Sequence, residues 1–325
     1  MIALEAALLA GGLAALYFGA EWLVRGSARL ARSYGVSTLV VGLTVVSFGS
    51  SAPELLVGIV ASVQGASDVV LGNVVGSNVL NIALILGVAA LLQPMRVELR
   101  LLSREAPLMV GVSLLLVILA LDFRISRVDG AVLLSGFVAY LWFVLRAAQT
   151  ETVPVTTEYE SFEIAEALAP GPEGRLRDVG LTIVGLLALA AGAHALVTSA
   201  VFFARLLGVT EVVIGLTIVA LGTSLPELAT SVVAALRGEP DIALGNAVGS
   251  NLFNILSILG ISTLIRPISV SLDLLQFELP VMVGIAFALL PLAWRGKRLG
   301  RMSGALLLSS YFAFTAGLLF RAAAP

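Results

Sequence analysis

The sequence predicts an all-α integral membrane protein of ten transmembrane helices, built as two inverted-topology five-helix repeats. Three observations carry that expectation. Apolar residues make up 59% of the 325-residue chain and charged ones 12%, against about 50% and 25% in soluble domains. Apolar stretches long enough to cross ~30 Å of hydrocarbon follow one another with short polar breaks, and the mean hydropathy is +1.05. Finally, Gly42 to Gly87 recurs without a gap as Gly215 to Gly260, with roughly 25 of 46 positions identical, far beyond what shared hydrophobicity produces.

Hydropathy places the helices near 3–24, 36–63, 69–92, 104–121, 128–147, 177–204, 209–236, 241–265, 275–294 and 302–321. The first, "MIALEAALLAGGLAALYFGAEWLV", lacks a basic start and carries Arg25, Arg29 and Arg32 after its apolar run, so it reads as a retained span with its amino end outside. The second and seventh are interrupted by Gly and Pro and should be broken. The third and eighth begin at Asp68 and Asp241, residue types that serve as N-caps. The repeat register extends back to the ends of the first and sixth helices, where Ala31-Arg32 and Gly35-Val36 match Ala204-Arg205 and Gly208-Val209. Three units follow: a first repeat (1–147), an acidic cytoplasmic connector (148–176) and a second repeat (177–325). In the connector, Tyr159, Phe162, Ala165 and Leu168 are spaced to form one face of a short interfacial helix, although a solvated linker is the simpler reading.

An even number of spans puts both termini on one side. With that side outside, only Arg124, Arg127, Arg205, Arg266 and Arg321 of the 19 Lys and Arg residues lie outside, as the positive-inside rule requires. An odd number of crossings per repeat inverts the second copy relative to the first, the plan of many secondary transporters and of some channels. With no cysteine, disulfides, thiolate metal sites and thiol redox chemistry are excluded.

Glu54 and Glu227 occupy matching points of the two copies, so the pseudo-two-fold axis brings two carboxylates together near the bilayer midplane. An unpaired charge there costs at least ~3 kcal/mol. No Lys or Arg occurs in either motif before Arg237 at its end, which leaves a bound cation as the simplest partner. Pro53 and Pro226 cannot donate to the carbonyls of Gly49 and Gly222, which frees backbone oxygen at the depth of the glutamates. Ser50 and Ser51 lie one turn before Glu54, and Thr223 and Ser224 one turn before Glu227. Further ligands are available from "GNVVGSNVLN" and "GNAVGSNLFN", where Ser77 and Asn81, and Ser250 and Asn254, stand at i,i+4, while Gly72, Gly76, Gly245 and Gly249 permit close helix packing. Oxygen alone, without sulfur or imidazole, suits a hard cation such as Ca²⁺ or Na⁺. Asn73 and Asn246 are read as bonding across helices, and the lone histidine, His194, which matches Glu21, as a satisfied polar residue. No Ser-His or paired-aspartate arrangement accompanies the motifs, so the chain is not read as an enzyme.

With "GSSAPE" and "GNVVGSN" in one copy and "GTSLPE" and "GNAVGSN" in the other, the chain resembles the sodium/calcium exchanger family of the calcium/cation antiporters. The resemblance spans nearly the whole chain. It implies an antiporter that exports Ca²⁺ against inward Na⁺, with no cofactor and no nucleic-acid partner, in the cell (inner) membrane with both termini outside. It further implies Glu54 and Glu227 as central carboxylates and Ser50 and Thr223 as oxygen donors to Ca²⁺. Ser51, Ser224, Ser77, Ser250 and Asn81 would complete the Na⁺ positions, joined by Asn254 and by backbone carbonyls at Ser47 and Ala220. Some relatives carry Asp where this chain has Asn254. Both repeats lie in one chain, so a monomer suffices for exchange. Proton-coupled Ca²⁺ exchange, with Glu54 and Glu227 protonating in turn, is the alternative, and a passive cation channel is a second one.

Overall fold

A computed structural model describes residues 2–150, 172–207 and 220–323. The apolar face at 159–168 and residues 209–219 of the seventh predicted helix lie outside these. Among the described residues, eight helices are long and apolar enough to cross a membrane unbroken, and one further pair does so with a bend.

In the first repeat, α1 (Ile2–Ser33) is followed by the bent pair α2 (Thr38–Ser50) and α3 (Ala52–Gln64), then by α4 (Ser67–Leu92) and α5 (Leu101–Leu119) and by α6 (Arg127–Thr150). The second repeat runs α7 (Pro172–Leu206), α8 (Ala220–Thr223), α9 (Leu225–Leu236), α10 (Pro240–Ile265), α11 (Leu274–Trp294) and α12 (Arg301–Ala323). α4 and α10 form the centre: 78% and 83% of their apolar windows are buried, against 17% for α1 and for α12. They carry the "GNxxGSNxxN" runs, and their small residues explain the position. A Cβ on Gly245 would meet the Leu39 carbonyl at 2.9 Å, and one on Gly249 the Leu43 carbonyl at 2.7 Å, so any side chain there would push α10 off α2.

α1 and α7 pack against each other outside this centre. Gly12 and Gly192 face one another, as do Gly19 and Gly185: a Cβ on any of the four would stand about 3 Å from the opposite backbone. The seven-residue spacing keeps the small residues on one side of each helix, so two long antiparallel helices touch backbone to backbone.

Two short ribbons tie the repeats together at the helix ends. β1 (Met95–Arg96) pairs with β4 (Arg298–Leu299), and β2 (Arg124–Ile125) with β3 (Ile268–Ser269). Each ribbon takes one strand from each repeat. The residues entering β2 and β4, Phe123 and Lys297, have φ of 62° and 49°, and their carbonyls accept from Val270 and Val97, each at 2.9 Å. Two-residue strands leave no hydropathy signal, and the sequence reading contains none of them.

The helix starts correct one expectation. Asp68 and Asp241 are not N-caps: the cap positions are Ala66 and Glu239, neither making a side-chain cap bond, and the aspartates lie inside the first turn. There a carboxylate still opposes the positive end of the helix dipole.

Candidate cation-binding site

The two motif helices break at matching serines. Ser51 has φ −83° and ψ 10°, and Ser224 φ −94° and ψ 10°, a conformation outside the helical well. At the first break the axis bends by 47°. Pro53 and Pro226 each follow two residues later in the first turn of the new helix, where a missing N–H costs nothing. The residue after each proline is the glutamate, so Glu54 and Glu227 sit at helix amino ends that favour negative charge. Both are 1% exposed.

The serines serve the opposite copy. Ser51 Oγ donates to Glu227 Oε1 at 2.7 Å, and Ser224 Oγ donates to Glu54 Oε1 at 2.9 Å. Sequence spacing had set each hydroxyl beside its own glutamate; the bend turns it across the pseudo-axis instead. Thr223 lies beside Glu54 and Ser50 beside Glu227, and the two carboxylates are near enough to interact electrostatically. Ser224 Oγ also reaches Ser77 Oγ at 3.2 Å.

A second layer comes from α4 and α10. Each helix widens into a π-helical segment, Leu80–Leu86 and Asn254–Leu259, a distortion common at functional sites. Asn81 and Asn254 stand at the start of these segments, and the Asn254 N–H still donates to the Ser250 carbonyl in ordinary i,i+4 register. Asn81 Nδ2 donates to Asn251 Oδ1 at 3.0 Å, and Asn254 Nδ2 donates to Asn78 Oδ1 at 3.0 Å. Asn73 and Asn246 bond across helices as expected: their Nδ2 atoms reach the backbone carbonyls of Glu54 at 3.1 Å and Glu227 at 3.4 Å.

Not every candidate faces the centre in the same way. The Ser47 hydroxyl turns back to the Leu43 carbonyl at 2.9 Å, and its own carbonyl accepts the Ser51 N–H at 3.1 Å. Ala220 lies in α8 at the equivalent backbone position. Ser50 Oγ donates to Asn246 Oδ1 at 3.0 Å. The sequence reading gave no role to Asn78 or Asn251. Their recurrence at the same point of both copies was the available signal.

What remains at the centre is a set of buried oxygen atoms without a hydrogen-bond partner: Glu54 Oε2, Glu227 Oε2, Asn81 Oδ1, Asn254 Oδ1 and Ser250 Oγ. Leaving one buried polar atom unmade costs about 1–3 kcal/mol, and more when it is charged. The carboxylate and amide oxygens of this set have no hydrogen to give, and a hard cation completes such acceptors together.

Comparisons with known proteins identify a family. The profile of the family described as "Sodium/calcium exchanger protein" matches residues 4–146 and 178–320. Sodium/calcium exchanger MaX1 of Methanosarcina acetivorans is 36% identical over 349 aligned positions, covering 98% of this chain and 100% of that protein. Inner membrane protein YrbG of Escherichia coli is 37% identical over 327 positions, covering 97% of each. Among solved structures, the sodium-calcium exchanger NCX_Mj soaked with Na⁺ and no Ca²⁺ superposes with a TM-score of 0.85 at 31% identity, covering 98% of this chain and 100% of that one.

Proposed function

We propose that this chain, which belongs to the sodium/calcium exchanger family, is a multi-pass antiporter that exports Ca²⁺ in exchange for Na⁺ by alternating access at the Glu54–Glu227 site. The observation that carries this reading is the set of five unpartnered buried oxygens from both repeats. Two carboxylates neutralise one Ca²⁺, or separate Na⁺ ions, so occupancy by the two substrates is mutually exclusive, and that exclusion is the basis of exchange. Glu54 and Glu227 are assigned to Ca²⁺ with Ser50 and Thr223. Ser51, Ser224, Ser77, Ser250, Asn81 and Asn254 are assigned to the flanking Na⁺ positions, with backbone oxygen from Ser47 and Ala220.

In this reading, residues 1–147 and 177–325 are two repeats joined by a cytoplasmic connector, both termini face outside, and the protein resides in the cell membrane. α1 and α7 are the moving pair: their glycine seam makes them one unit that shifts against α4 and α10.

The test is Ca²⁺ uptake into proteoliposomes, driven by a Na⁺ gradient with proton gradients collapsed. The parent chain is expected to exchange, and Glu54→Gln and Glu227→Gln each to lower the rate at least about 100-fold, since each removes a charge paired to the ion. Undiminished exchange by both variants overturns the site. Uptake that follows a proton gradient instead of Na⁺ turns the reading into proton-coupled exchange, and flux without any counter-ion makes the chain a channel.

A further inference from the structure

We infer that Asn78 and Asn251 are positioning residues that hold the amides of Asn254 and Asn81 with oxygen, not nitrogen, toward the transported ion. The inference rests on the cation-exchange reading above and concerns how the same site is kept in its binding geometry.

An asparagine amide has two ends of nearly equal shape and opposite chemistry. Oδ1 is a ligand for a cation, whereas Nδ2 carries two hydrogens and repels one. Nothing in the shape of Asn81 or Asn254 chooses between them, so their neighbours must. Asn254 Nδ2 is taken by Asn78 Oδ1, and Asn81 Nδ2 by Asn251 Oδ1. The oxygen ends of Asn81 and Asn254 are then the ends left without a partner.

The holders are themselves held. Asn251 Nδ2 donates to the Asn78 backbone carbonyl at 3.1 Å and contacts Met109 Sδ at 3.6 Å, and Asn78 Nδ2 contacts Met282 Sδ at 3.7 Å. A thioether and a backbone carbonyl accept but do not donate, so a flipped Asn78 or Asn251 would set its oxygen against lone pairs. Met109 in α5 and Met282 in α11 occupy equivalent positions of the two repeats, as Asn78 and Asn251 do. Orientation therefore runs from methionine to asparagine to ligand, and it crosses the pseudo-axis: the first repeat orients Asn254 and the second orients Asn81.

A carboxylate presents oxygen whichever way it turns, and this supplies a test that a packing role does not pass. Equilibrium Na⁺ binding to the purified full-length chain in detergent is measured for Asn78→Ala in two backgrounds, the parent chain and Asn254→Asp. In the parent, Asn78→Ala is expected to weaken Na⁺ binding about tenfold, the usual cost of removing a residue that orients a metal ligand. In the Asn254→Asp background the same change should alter binding by less than about twofold, because no amide is left to flip. The mirrored pair, Asn251→Ala with and without Asn81→Asp, carries the test if Asn78→Ala does not fold. Equal losses in both backgrounds, or no loss in the parent, overturn the inference. Failure of the exchange reading looks different: Glu54→Gln and Glu227→Gln would still exchange, whatever the ratio between the asparagine variants.

Discussion

Around Glu54 and around Glu227 the chain builds the same contacts: a serine from the other copy on one carboxylate oxygen, an asparagine on the backbone carbonyl, and a crossed pair of amides nearby. One turn further along, the copies diverge. Where the first has Val57 and Gly58, the second has Thr230 and Ser231, both fully buried. Asn73 is part-buried and bonds the Glu54 carbonyl, whereas Asn246 is fully buried, accepts from Ser50 and donates also to Ser231 Oγ at 3.0 Å. At the far end Glu21 and Arg237 form an ion pair at 2.6 Å, while their matched positions hold His194 and Gln64. The lesson is where duplication is retained. The atoms proposed to touch the ion are kept alike, as an exchange of roles between the two halves would require. The surroundings are free to drift, and in the second copy they have become a more polar, more heavily bonded support.

The largest expected effect probes the part that is alike. Ser51→Ala and Ser224→Ala each remove the donor from a buried carboxylate oxygen, a loss of about 1.5–3 kcal/mol. That corresponds to a roughly 10–100-fold rise in the ion concentration for half-maximal exchange. The two should agree within about threefold; a gap of tenfold or more would break the functional equivalence of the copies.

A smaller effect sharpens the contrast. Asn246→Ala strips partners from Ser50, Ser231 and the Glu227 carbonyl and should destabilise the protein by about 2–3 kcal/mol, whereas Asn73→Ala, with one bond to lose, should cost about 1 kcal/mol. Thermal unfolding in detergent, compared at a fixed Na⁺ concentration, reads the difference. Equal shifts would mean that the extra bonds of Asn246 carry no net stability.

Much of the fold was legible in the sequence because a bilayer imposes a coarse rule: spans must be long, apolar and internally hydrogen-bonded. Duplication added the symmetry, and Pro53 and Pro226 located both breaks. What the sequence missed has physical reasons. Which glutamate a serine serves depends on a 47° bend that helical periodicity assumes away, so Ser51 was set beside Glu54 and not Glu227. The π-helical segments that begin at Leu80 and Asn254 widen the helices without any marker in side-chain type. Asn78 and Asn251 matter through their neighbours' orientation, and spacing along one chain carries no information about that. Asp68 and Asp241 misled because a carboxylate is equally at home at the cap and inside the first turn.

The smallest expected effect concerns the end where the copies differ most. Glu21 of α1 bonds both Arg25 at 2.5 Å and Arg237 at 2.6 Å, and Arg32 of the same helix bonds Glu239, so α1 is fastened to the loop between α9 and α10. The arginines are half exposed, and water screens such pairs heavily. Glu21→Gln should therefore lower the melting temperature by only roughly 1–2 °C at low salt, and the difference should vanish near 1 M salt, where the screening length falls to about 3 Å. His194→Gln, at the matched position of α7, should leave the melting temperature unchanged at either salt concentration. A salt-independent loss from Glu21→Gln would mean that its carboxylate supports α1 through packing, and that the two ends differ in shape rather than in charge.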